Sequence, residues 1–180
     1  YNVILDAEGG SLDRTNYTFT FGGSYSLPSP SRTGYDFVGW YMGRNEVPVS
    51  GTYVYDSDLV LSAEWQGKTY VVTMDANGGK VTATRKEVVY GDSYKLPVPM
   101  RDGYDFVGWY SYSTEVDTSG TWEIANNMSL TAKWEASEYT VRLDADGGVV
   151  SREKLTVTYG KSYSLPTPTR TGYSFRGWYK

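Results

Sequence analysis

The chain has 180 residues, with 17 Lys and Arg against 21 Asp and Glu, a net charge of −4. It contains no Cys and no His, which excludes disulfides, thiolate metal sites, cysteine nucleophiles and the usual general base. The acidic balance gives no support to nucleic-acid binding, which needs a basic face, and no apolar run reaches membrane-spanning length.

Tyr1, Val3 and Leu5 alternate with Asn2 and Ile4, the period of a half-buried strand. Gly9-Gly10 follows as a turn. Residues 15–21 read as the return strand, with Tyr17, Phe19 and Phe21 on one face. The segment 22–34 carries Pro28 and Pro30, which leave room for at most one helical turn. Tyr35 to Tyr41 reads as a third strand. Strict alternation puts Tyr35, Phe37, Gly39 and Tyr41 on one face and Val38 and Trp40 on the other. A short edge strand is expected around Tyr53 and Tyr55. The last strand places Leu59, Leu61, Ala63 and Trp65 inward and Val60, Ser62 and Glu64 outward.

The whole pattern then repeats. Tyr35-Asp36-Phe37-Val38-Gly39-Trp40-Tyr41 returns unchanged at Tyr104 and, with two substitutions, at Tyr173, a constant step of 69 residues without a gap. Asp6, Asp75 and Asp144 obey the same step, as do Pro28, Pro97 and Pro166, and Arg32, Arg101 and Arg170. Such a period marks a tandem of small modules. We divide the chain into residues 1–68, 69–138 and a partial third module, 139–180, which lacks the C-terminal strands. Short polar linkers, 66–69 and 135–138, predict a semi-rigid string. The expected fold class is mostly β, α+β at most, with four or five short strands and little helix per module.

Gly34-Tyr35-x-Phe37-x-Gly39-Trp40-Tyr41, Pro28-x-Pro30-x-Arg32 and Leu61-x-Ala63-x-Trp65 resemble the Listeria–Bacteroides repeat, the B-repeat of internalin-like surface proteins. The resemblance covers essentially the whole chain. It implies a β-grasp-like module, secreted or wall-attached, within large adhesins, and no catalytic residues. A β-grasp carries a helix between its second and third strands; here the Pro-rich segment predicts a short turn or irregular chain instead.

Sharper chemistry finds little footing. Asp6 with Glu8, and Asp144 with Asp146, offer oxygens to calcium, but the set falls short of the usual six or so ligands, and Asn77 stands in the second copy. Trp40, Trp109 and Trp178 could stack on sugars, yet apolar residues at strand period face inward. Tyr112 and residues 42–50, which differ between copies, are better surface candidates. Arg32, Arg101 and Arg170 are expected to pair with a carboxylate such as Asp6 or Glu46, or to stack on an aromatic ring. No Lys recurs at one register in all three copies, which disfavours Lys–Asn cross-links; Lys80 aligns with Ser11 and Lys133 with Glu64.

The expectation is therefore a non-catalytic, extracellular, cell-surface repeat region without metal or cofactor, acting as stalk or spacer with weak multivalent adhesion. The alternatives are a carbohydrate- or host-receptor-binding module, and a filament subunit that self-associates by strand addition to the incomplete third repeat. Expected partners are a host or cell-surface protein or a glycan, with no membrane insertion in this segment.

Overall fold

The computed structural model describes residues 1–180. Every regular element is a strand, and no helix is present. The first repeat holds β1 (Asn2–Asp6), β2 (Asn16–Thr18), β3 (Ser24–Ser26), β4 (Tyr35–Met42), β5 (Asn45–Val47), β6 (Ser50–Thr52) and β7 (Leu59–Gly67). The second repeats the series as β8 (Thr69–Asp75), β9 (Arg85–Val89), β10 (Ser93–Lys95), β11 (Tyr104–Ser111), β12 (Thr114–Val116), β13 (Ser119–Thr121) and β14 (Met128–Ala136). The third has β15 (Glu138–Arg142) and β16 (Lys154–Thr158). Two compact units are formed, Tyr1–Thr73 with Arg85–Leu96 and Thr118–Ser129, and Met74–Thr84 with Pro97–Asp117 and Leu130–Lys180.

The first sheet has the order β2-β1-β7-β4-β5, and the second the same order, β9-β8-β14-β11-β12. The first and last strands of a repeat, β1 and β7, lie side by side in parallel, with Val3 opposite Leu59 and Leu5 opposite Leu61. Both ends of the repeat therefore enter its central pairing. The alternation read in β1 and β7 holds: Val3, Leu5, Leu59, Leu61 and Ala63 are buried, while Ile4 and Val60 are exposed.

Strict alternation fails in β4. Its register against β7 runs Phe37 to Trp65, then Gly39 to Glu64, skipping Val38. This β-bulge inserts one unpaired residue and shifts the phase of all that follow. Trp40 therefore shares the inner face with Phe37 instead of opposing it, and the two rings meet edge-on at 5.4 Å. Val38 is turned out, 46% exposed. The second repeat skips Val107 in the same way.

Trp40 is fully buried, and its indole N–H donates to the Pro28 carbonyl at 2.8 Å. Trp109 does the same to Pro97 at 2.9 Å. Burying an indole of about 200 Å² stabilises a fold by about 5 kcal/mol at 25 cal/mol per Å². These tryptophans are core, not sugar platforms. The Pro-marked segment, which the family resemblance would fill with a helix, is held by this bond and by β3, which pairs with β6.

The edge strand expected at Tyr53 and Tyr55 lies one step earlier, at β6; Tyr53 follows it as a buried core residue. The return strand is shorter than read, ending at Thr18, and Phe21 lies outside it, exposed. In the third repeat, Tyr173–Tyr179 forms no strand, although Phe175 still meets Trp178 at 5.3 Å and Trp178 still bonds Pro166.

The start of each sheet is tied by one side chain. Asp58 accepts from the Asn2 backbone N–H at 2.7 Å and from the Asn2 amide at 3.3 Å. In the second repeat Asn127 takes the same place, accepting from Val71 N–H at 2.9 Å. The Asn2 backbone bond, then its side-chain bond, hold the Asp58 carboxyl below its ordinary value of 3.8. A lowered folded pKa adds stability above the unfolded value that is lost as pH falls through the folded one. Asp58→Asn keeps the acceptor and removes the titration. Thermal melts from neutral pH to about pH 3 should show the variant less stable than the parent at neutral pH, with the gap closing below about pH 4 as the parent's carboxyl takes up its proton.

Candidate interaction surfaces

The Gly-Gly loops are tight two-residue turns. Gly10 N–H bonds the Ala7 carbonyl at 2.9 Å, with Glu8 and Gly9 at φ +47° and +85°. Asn77 and Asp146 stand at +47° and +46° in the equivalent places. The preceding carboxylates serve the turn itself. Asp6, Asp75 and Asp144 each accept the backbone N–H two residues on, at 2.8 to 2.9 Å. This is an Asx turn, and the loop reads as a hairpin. The Asp and Glu residues do not gather into a metal-holding group of three or more.

The recurring arginines stack on rings rather than pairing with Asp6 or Glu46. Arg32, Arg101 and Arg170 lie over Tyr35, Tyr104 and Tyr173 at 4.1, 4.0 and 4.2 Å. Arg101 and Arg170 also donate to the carbonyls of Asn77 and Asp146, and Arg170 pairs with the Asp146 carboxylate at 4.0 Å. Trp65 and Trp134 pack under the second glycine of each turn and donate to Ala7 and Ala76 at 2.9 Å. Arginine, tyrosine, turn and tryptophan thus form one corner, built alike in both full repeats.

That corner is where the next repeat attaches. Within the first unit, Gly34 (φ +82°) has no room for a side chain because the Tyr90 ring stands 2.5 Å from where its Cβ would be. Tyr35 meets the same ring edge-on at 5.1 Å. The linker is a single residue, Lys68, whose N–H bonds the Gly34 carbonyl and whose carbonyl takes the Tyr90 N–H, both at 2.9 Å. Within the second unit the joint recurs. Gly103 lies against Tyr159, Tyr104 meets Tyr159 at 5.5 Å, and Ser137 makes the same pair of bonds to Gly103 and Tyr159 at 2.9 Å. An open polar groove beside the first joint is lined by Arg32, Tyr35, Tyr90 and Glu123, among others. Lys68 and Ser137 lie in the linkers 66–69 and 135–138; the part Tyr90 and Tyr159 play at the joint was signalled only by their shared step of 69 residues.

Among the surface differences between the full repeats are the hairpin tip and the outer sheet face. Gly43 (φ +63°) opens the β4–β5 hairpin, and Tyr112 (φ +54°) takes its place between β11 and β12, fully exposed. The outer sheet face pairs Tyr41 with Glu46 and Gly39 with Glu64 in the first repeat, against Tyr110 with Glu115 and Gly108 with Lys133 in the second. Gly39 is the floor of this face: a Cβ there would stand 3.1 Å from Glu46 Oε1 and 3.4 Å from the Tyr41 ring.

The model of the Listeria-Bacteroides repeat domain matches residues 1–64, 70–133 and 139–180. The chain belongs to this family. It is 31% identical, over its full length, to a protein of Evansella cellulosilytica named as a Gly-rich membrane protein, and 34% identical to a second one named as a membrane protein. Internalin H of Listeria monocytogenes is 29% identical over 99% of the chain. The chain spans 21%, 28% and 32% of these relatives' lengths. Among solved structures, domains 3-4 of the Streptococcal High Identity Repeats in Tandem from a cell surface protein are similar at 15% identity and a TM-score of 0.25, over 76% of this chain and 99% of that one. The internalin-like repeat assignment thus stands on family and relatives alike.

The turn geometry carries a test. At φ +47° the Glu8 Cβ crowds the following carbonyl oxygen, a cost that asparagine offsets because its short polar side chain hydrogen-bonds locally. Glu8→Asn, the residue of the second turn, should raise the urea midpoint by the equivalent of about 1 kcal/mol.

Proposed function

We propose that the chain is a non-catalytic extracellular spacer of a cell-surface protein, in which each repeat is locked to the next. The joint carries this reading. One-residue linkers bonded on both sides, with a tyrosine seated on a glycine, leave a neighbouring repeat little freedom to swing. A flexible tether would need a run of Gly and Ser instead. The relatives, a surface-protein family with an internalin among them, support the extracellular setting.

The absence of native cysteine makes the test direct. Spin labels at Asn45 and Glu123, both exposed, should give one narrow distance distribution by pulsed electron resonance. Tyr90→Ala should broaden it while each repeat stays folded. A broad distribution in the parent would reject the spacer reading.

A second reading, adhesion, rests on Tyr112. An aromatic residue at φ +54° is strained by about 1 kcal/mol or more, and here it is displayed to solvent at a hairpin tip. The tip reads Tyr110-Ser111-Tyr112-Ser113-Thr114, the tyrosine and serine chemistry of adaptable binding loops. Tyr112→Gly should raise stability by about 1 kcal/mol and abolish any binding the parent shows on a glycan array. Unchanged array binding in this more stable variant would remove Tyr112 from the site.

A further inference from the structure

Among the differences between the outer faces of the two full repeats is a reversal of charge, Glu64 in the first against Lys133 in the second. In the second repeat Lys133 Nζ sits 4.4 Å from the centre of the Tyr110 ring. The Tyr110 hydroxyl donates to Glu115 Oε2 at 3.2 Å. Ring, carboxylate and ammonium make a complete set, laid over Gly108, where a Cβ would stand 2.6 Å from Glu115 Oε1.

The first repeat builds the same set without its cation. Tyr41 stands beside Glu46 over Gly39, with nearly the same glycine floor. Glu64 occupies the position of Lys133, each paired across the sheet with its repeat's glycine. Neither Glu46 nor Glu64 enters an ion pair. The Tyr41 phenol is pushed up by desolvation, then by the charges of Glu46 and Glu64 and by its hydrogen bond to Glu64, so both carboxylates lie within electrostatic reach of the ring and Glu64 is held against its hydroxyl. A ring face and two carboxylates is the chemistry that holds an organic cation. A hard metal ion gains nothing from the ring and would want more oxygens.

We propose that Tyr41, Glu46 and Glu64 bind an alkylammonium group, the lysine side chain of a partner protein, where Lys133 lies in the second repeat. The site is exposed, so binding is weak and falls with salt. Weak contacts of this kind gain strength when presented in several copies.

The experiment follows backbone amide and aromatic ring signals of the 180-residue chain by NMR during titration with Nα-acetyl-lysine N-methylamide. Saturable shifts at Gly39 and Tyr41, with Gly108 and Tyr110 silent, are expected. The analogue acetylated on its side-chain nitrogen, which is neutral, should leave Gly39 and Tyr41 unmoved. Glu64→Lys installs the second repeat's own residue, so the fold is kept, and it should weaken binding about tenfold or more. The proposal fails if Gly39 and Tyr41 do not respond, if Tyr110 responds equally, or if Glu64→Lys binds as well as the parent. Butylammonium binding more tightly than the lysine derivative would overturn the assignment to a lysine side chain.

Discussion

The bulge at Val38 is the constraint from which the rest of the repeat follows. A regular strand would send Phe37 and Trp40 to opposite faces. One skipped residue brings both to the inner face, where Phe37 touches Trp40 on one side and Trp65 on the other, at 5.4 and 5.7 Å. The same shift turns Gly39 outward, opposite Glu64, and so creates the floor on which the outer-face tyrosine lies. Inner core and outer face are therefore set by one irregularity. A small module has little buried surface to spare, so a ring misplaced by one residue would cost it much of its core.

The corner that closes the core also makes the joint. Trp65 caps the turn at Gly10, Arg32 covers Trp65 and Tyr35, and Tyr35 receives Tyr90 from the following repeat. Each contact leans on the one before it. Core packing and joint packing are thereby coupled through Tyr35 and Trp65, a chain of rings rather than a flexible hinge. Nearest-neighbour coupling of this sort is how tandem repeats gain stability beyond that of each unit.

What could be read from the residues divides along physical lines. Period two exposed β1 and β7 correctly, because their inner residues are large and apolar and their outer ones mostly polar. It failed in β4, since a bulge leaves no mark on composition; Val38 and Trp40 look equally fit for a core. The strands β3 and β6, built of Ser, Tyr, Gly and Thr, carry no apolar alternation; they are held by pairing and by the single buried ring of Tyr25, which packs on Phe19 and Tyr53. The joint was hidden because Tyr90 acts on a glycine of another repeat, and no local pattern reports such a contact. Tyr112 was singled out only for differing between copies; its left-handed backbone came from the structure.

Some differences between repeats exchange one core residue for another, as Tyr53 for Trp122 and Leu5 for Met74, and others lie outside the core. Glu64 and Lys133 share a position outside the core, Gly43 and Tyr112 a hairpin tip, and Asp58 and Asn127 an exposed acceptor. None touches the Phe–Trp packing or the tyrosine seated on glycine, both of which are built alike in the two full repeats. The outer face and the tip are thus free to change charge and shape at little cost in stability, whereas the joint is not. A repeat of this design can vary its outer face and hairpin tip while keeping the attachment to its neighbour the same.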